Sequence, residues 1–173
     1  KKFNHTRKEC AYLMMMNIQI FSFLLILKEV VSFGHITETE TIATGFVPYY
    51  TYEGELQVDG TVYISTSETT QSGLYSLEGT DPQCESGADL SIANSCGVHI
   101  HAGNSCTDDA LGHYYMDPIT EDPWTTISYT ADSNGSTSGS FQVNTGGSES
   151  DILGLAFVIH AFDGSRIACA IIQ

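Results

Sequence analysis

The six histidines carry most of the chemical signal in this chain. His99-Ile100-His101 places two of them at positions i and i+2. On a strand such positions point to one side, so the two imidazoles project together while Val98 and Ile100 turn the other way. His160 closes the apolar run Leu155-Ala156-Phe157-Val158-Ile159-His160 and shares its side with Val158. His113 follows Gly112 on a turn, and His5 and His35 lie towards the amino terminus. A lone imidazole is an ordinary surface group. Two on one strand face gain little from each other and much from a shared cation. Imidazole suits Cu, Zn, Fe and Ni alike, so ligand type leaves the metal open, and an all-nitrogen tetragonal set favours Cu(II).

The elements that must position these rings read as β. Short β-branched and aromatic runs are expected as strands at residues 46–52, 55–58, 61–65, 73–77, 97–101, 125–130, 139–143, 153–160 and 167–172. Asp59-Gly60, Asn134-Gly135 and Gly146-Gly147 supply the positive φ that tight turns need. No stretch beyond residue 35 keeps an apolar stripe at helical spacing for three turns. The fold class is therefore all-β, an antiparallel sandwich or closed barrel. The strongest hairpin signal is 128–143 around Asn134-Gly135, and Asn134-Gly135-Ser136 is also a glycosylation sequon. Residues 66–72 read only as a polar stretch.

Charge divides the chain. Of 6 basic and 21 acidic residues, five bases and two acids precede residue 35; beyond it 19 acids face Arg166 alone, a charge of −18. Such a surface repels phosphate backbones and excludes nucleic acid as a main partner. Basic residues within 1–13, the apolar run 18–27 and small residues at Ser32 and Gly34 form the pattern of a secretory signal over 1–34. That run is shorter than the roughly 20 residues a membrane span needs, and a buried core helix is its rival reading. Met14-Met15-Met16 inside this leader are candidate start residues. Residues 35–52 are expected as an extension or first strand and 53–173 as the functional domain. No second apolar segment follows, so the expected product is secreted or displayed at the cell surface, with no membrane partner once the leader is removed. Cys10 belongs to the leader. Cys84, Cys96, Cys106 and Cys169 remain, and four cysteines allow three disulfide pairings. Thiol ligation of a metal is disfavoured because no CxxC pair exists. Cleavage after Gly34 would leave His35 as an amino-terminal chelating group.

Taken in order, several motifs resemble the copper/zinc superoxide dismutase family over roughly residues 53–173. Gly97-Val98-His99-Ile100-His101 looks like its paired-histidine strand, and Gly112-His113 matches its metal-bridging histidine. Ala156-Phe157-Val158-Ile159-His160 resembles the strand bearing the fourth copper ligand. Gly164-Ser165-Arg166-Ile167-Ala168-Cys169 matches the closing motif with its substrate-guiding arginine. The resemblance implies a Greek-key barrel and one copper held by His99, His101, His113 and His160. It also implies a Cys106–Cys169 disulfide, which leaves Cys84–Cys96 as the second bridge.

Two departures reshape that expectation. Residues 114–124 contain no histidine, and Asp117, Glu121 and Asp122 alone would make a poor zinc site, so none is expected. Only five residues separate His160 from Arg166, where the family carries a long charged loop. Both losses resemble the copper-only extracellular branch of the family, with a shallow, solvent-open copper site. The implied activity is dismutation of superoxide, with Arg166 guiding the anion and His113 leaving the metal to carry a proton. A carboxylate among Asp117, Glu121 and Asp122 would orient His113; the bland alternatives are a solvated acidic turn and, for Arg166, a surface ion pair. The strong negative charge slows an anionic substrate. A secreted copper-buffering module with little turnover is therefore the second reading. Nothing in the sequence sets the oligomeric state.

Overall fold

The computed structural model describes residues 41–173. The expected leader over 1–34, with His5 and Cys10, lies outside them, and so does His35. The described chain is nearly all β, with eight strands in two antiparallel sheets of four. The strands are β1 (Thr41–Thr44), β2 (Val47–Pro48), β3 (Asp59–Ser67), β4 (Thr70–Glu78), β5 (Val98–His101), β6 (Thr137–Asn144), β7 (Ala156–His160) and β8 (Arg166–Ile171). One sheet runs β1-β3-β4-β6 and the other β2-β8-β7-β5. Helix is confined to a 3₁₀ turn at Pro82–Ser86 and the four-residue α1 (Glu149–Ile152). No helix among the described residues is long and apolar enough to cross a membrane.

Alternation decides which faces meet. In β4 the buried residues are Gln71, Gly73, Tyr75 and Leu77, with exposed Leu74, Ser76 and Glu78 between them. Val62, Ile64, Tyr75, Phe141 and Val143 of the first sheet pack against Val98, Ile100, Phe157 and Ile159 of the second. The Phe141 ring lies over Gly73, where a Cβ would come within 2.1 Å of it. Both faces of the second sheet are covered. Ala156, Val158 and Cys169 form a separate small cluster with Tyr49 and Ala110 on its outer side. That outer side is the one His99, His101 and His160 share with Val158.

The polar stretch at 66–72 is in fact the centre of the longest hairpin. β3 and β4 pair from Asp59↔Glu78 to Ser67↔Thr70, joined by Glu68-Thr69. Glu68 takes φ 55 without being glycine or asparagine, so the turn left no dipeptide signal. β1 lies within 35–52, the segment expected as an extension or first strand. Residues 55–58 are not strand, and 46–52 contributes only Val47–Pro48. The turn at Asn134-Gly135 forms, with Gly135 N–H donating to Asp132 O at 3.0 Å, but it does not join a hairpin over 128–143. β6 pairs with β4, where Phe141 and Val143 reach the core. Residues 125–130 make only the Gly97↔Ser128 bridge, with Tyr129 N–H donating to Cys96 O at 2.8 Å, while the Tyr129 hydroxyl donates to His160 O at 2.9 Å and accepts from Asp81 N–H.

Both expected disulfides form: Cys84–Cys96, 12 residues apart, and Cys106–Cys169, 63 apart. Such bonds persist in oxidising surroundings. In the chain-entropy view a closed loop of the longer span stabilises by about 4 kcal/mol and of the shorter by about 3. Replacing Cys106 and Cys169 by alanine is expected to cost the larger amount in urea denaturation, and replacing Cys84 and Cys96 the smaller. The reverse order would contradict the loop argument.

Candidate metal centre

The four histidines named from sequence converge. One ring nitrogen from each of His99, His101, His113 and His160 lies within 4.8 Å of the other three. The ring centroids of His99 and His113 are 4.3 Å apart, and those of His101 and His160 5.5 Å apart. β5 delivers His99 and His101, β7 delivers His160, and the loop after β5 returns to place His113 by the His101↔His113 bridge. Gly97 leaves the room this needs, since a Cβ there would meet His99 Cε1 at 2.3 Å.

The other nitrogen of each ring is tied to an acceptor. His99 Nε2 donates to Ile127 O at 2.8 Å, His101 Nδ1 to Leu111 O at 2.9 Å, and His160 Nδ1 to Gly164 O at 2.9 Å. His113 Nδ1 donates to Asp122 Oδ2 at 2.7 Å. A carbonyl or carboxylate oxygen can only accept, so each of these nitrogens carries the hydrogen. The lone pairs are then on His99 Nδ1, His101 Nε2, His113 Nε2 and His160 Nε2. His99 Nδ1 is buried with no hydrogen-bond partner, and His101 Nε2 faces His160 Nε2 at 3.3 Å. An orphaned buried acceptor and two opposed lone pairs are costly on their own and favourable around a cation. The four-histidine group can hold a metal ion.

Enclosure works the same way. His99 and His101 are 1% exposed and His160 fully buried, while His113 keeps 7% of its side chain accessible. The ligand rings are thus more enclosed than a shallow site suggests, with His113 on the open side. Burial is the first cause lowering the affinity of three rings for protons. It holds His99 well below the ordinary value, His101 at about 3 and His160 at about 4. These rings stay neutral, and therefore ligating, through mildly acidic conditions.

The surroundings show which neighbours matter. Of the three carboxylates, Asp122 holds His113, and its other oxygen accepts from Trp124 N–H at 2.9 Å. Asp117 and Glu121 are exposed and make no such contact. Buried Trp124 packs 5.9 Å from the His99 ring and donates Nε1–H to Tyr114 O. Arg166 lies across from His160 in the β7–β8 ladder. Its Nη1 donates to Tyr49 Oη at 2.6 Å and to Asp109 Oδ1 at 2.9 Å, and its Nη2 to Leu111 O. It therefore makes the ion pair that the bland reading allowed, beside the histidine cluster. Asn134 is exposed on its turn. Sequence reasoning missed Tyr49, Asp109 and the carbonyls of Leu111, Ile127 and Gly164. A backbone carbonyl leaves no mark in a sequence, although Leu111 at φ 61 is the strained residue that aims one.

Two outcomes follow. Asp122→Ala frees the His113 ring and is expected to weaken Cu(II) binding about 10-fold to 100-fold in a calorimetric titration, with unchanged affinity contradicting the orienting role. Because an unfolded chain takes up protons on these rings below about pH 6.5 and the folded one refuses them until about pH 4, stability falls with pH in that window. Metal-free protein is expected to lose about 2 kcal/mol for each of His101 and His160 between pH 7 and pH 5. Thermal melting of chelator-stripped protein at both pH values measures this.

Compared with family models and with characterised proteins, the chain finds no match in either.

Proposed function

We propose that the protein is a secreted, copper-dependent superoxide dismutase with one copper per domain and no zinc site. The observation that carries this reading is the set of four ring nitrogens aimed at one point, each fixed in its tautomer by a partner on the far side of the ring. The donor set is all imidazole, which suits copper. Bound there, copper supplies the alternating one-electron oxidation and reduction that turns two superoxide anions and two protons into dioxygen and hydrogen peroxide.

The chain's own residues supply the rest. His99, His101 and His160, enclosed and hard to protonate, hold the ion in either oxidation state. His113 is the accessible ring, and its Nε2 can take up a proton and release it while Asp122 keeps Nδ1–H in place. A hydrogen bond to a carboxylate at that nitrogen supports a single metal rather than a bridged pair. Arg166 offers N–H groups to the anion from beside the ligands. Two four-stranded antiparallel sheets, with β1 bonded through Ile42 to Gln173, support a Greek-key barrel. Two disulfides support an oxidising, extracellular location.

The charge of −18 beyond residue 35 favours the second reading, a copper-buffering module, because a negative field lowers the encounter rate of an anion. Superoxide consumption by copper-loaded protein separates the two. The dismutase reading expects turnover well above that of aqueous copper, falling about tenfold or more in Arg166→Ala and most steeply at low salt. Rates no better than free copper in both proteins would favour buffering.

A further inference from the structure

Arg166 is the only Lys or Arg among the described residues, yet its charge is not offered freely. A guanidinium has five N–H donors. Nη1 spends two, on the Tyr49 hydroxyl and on Asp109 Oδ1, and Nη2 spends one on Leu111 O. Two donors remain for an incoming anion. The Tyr49 ring, buried and 5.3 Å from Arg166 Cζ, backs the group on one side.

Asp109 is the charged member of this clamp, and it is placed deliberately. Its Oδ1 accepts from Leu111 N–H at 2.9 Å as well as from Arg166, closing a turn around Ala110. That turn is tied to the chain just beyond β5 by Gly103 N–H to Ala110 O at 2.8 Å, and to β8, the strand that carries Arg166, by the Cys106–Cys169 bridge. Hydrogen bonds from Leu111 N–H, first, and from Arg166 hold the Asp109 carboxyl below the usual range, so it is ionised at neutral pH. The carbonyl of Leu111, the same turn's last residue, accepts from both His101 and Arg166. A carboxylate therefore sits against the guanidinium on the loop that aims the ligand ring.

We infer that Asp109 is a specificity-determining residue of the site: its carboxylate offsets the Arg166 charge and so sets how strongly small anions are held beside the histidine cluster. This rests on the proposed copper site. The effect is a selectivity device. A transient anion needs little residence time, whereas chloride, phosphate and other abundant anions would otherwise occupy the two remaining donors.

Asp109→Asn tests this, because Asn keeps an Oδ1 acceptor for Leu111 N–H and Arg166 while removing the charge. Full-length protein loaded with Cu(II) is titrated with azide and followed by the visible charge-transfer band. The azide midpoint is expected to fall at least about threefold in Asp109→Asn and to depend more steeply on ionic strength than in the parent. In an Arg166→Gln background the same substitution is expected to have at most a marginal effect. An unchanged or raised midpoint in Asp109→Asn, with the parent still giving a copper–azide band, overturns this inference alone. A gain that persists in the Arg166→Gln background overturns it too, since the carboxylate would then act through the general field. A parent protein that takes up no copper overturns both this inference and the proposed function.

Discussion

Four uncharged nitrogen acceptors cannot be brought together inside a protein for nothing. At 3.3 Å the facing lone pairs of His101 and His160 repel, and the His99 acceptor is cut off from water. Left alone, a ring would turn over or pick up a proton. Neither is open here, because turning any ring would break a hydrogen bond to Ile127, Leu111, Gly164 or Asp122, and burial penalises the charged form. The rest of the architecture serves that constraint. Sheet strands bring three rings to one face, but two connections, the long one from β5 to β6 and the short one from β7 to β8, provide the oxygens that decide which nitrogen each ring presents.

This division explains why the loops are so heavily fastened. The ligand-bearing face lies outside the main inter-sheet core, over the small cluster of Ala156, Val158 and Cys169. The β5–β6 connection sends Trp124, Tyr129 and Ala131 into the main core, but its stretch beside the ligands, 102–113, has little apolar area to hold it beyond Ala110. Covalent and polar ties substitute: Cys106–Cys169 under the loop that carries Leu111, Tyr129 bonded to His160 O, and buried Trp124 bracing Asp122 and the His99 ring. Gly97 has a matching negative role, since any side chain there would displace the first ligand.

The legible part of the molecule was the part written in side chains. The i, i+2 histidines, the run ending in His160 and the Asn134-Gly135 turn are local patterns, whereas Asp59-Gly60, expected as a turn, opens strand β3; the family resemblance singled out the ligand set and the disulfide pairing. Asp122 could only be narrowed to one of three carboxylates, because choosing among them depends on the path of the chain from 114 to 124. The hairpin through 66–72 escaped because its Ser and Thr residues read as loop by polarity, although β-branched threonine also favours strands, and because Glu68 occupies a position usually given to glycine. Residues 125–130 showed a strand-like pattern, but their pairing stops at the Gly97↔Ser128 bridge and the Tyr129 N–H bond to Cys96 O, and the Tyr129 hydroxyl ties the segment to His160 and Asp81. Carbonyl anchors escaped for a deeper reason, as every residue has one.

The scarcity of basic residues has a consequence beyond electrostatics. Proteases that cut after lysine or arginine, as trypsin does, need that side chain in a deep specificity pocket. Among the described residues only Arg166 qualifies. It stands in the hydrogen-bonded strand β8, with its guanidinium held by Tyr49, Asp109 and Leu111. To a digestive enzyme of that class the folded domain presents a single cleavage point, already gripped at both backbone and side chain, so resistance to such enzymes comes with the composition.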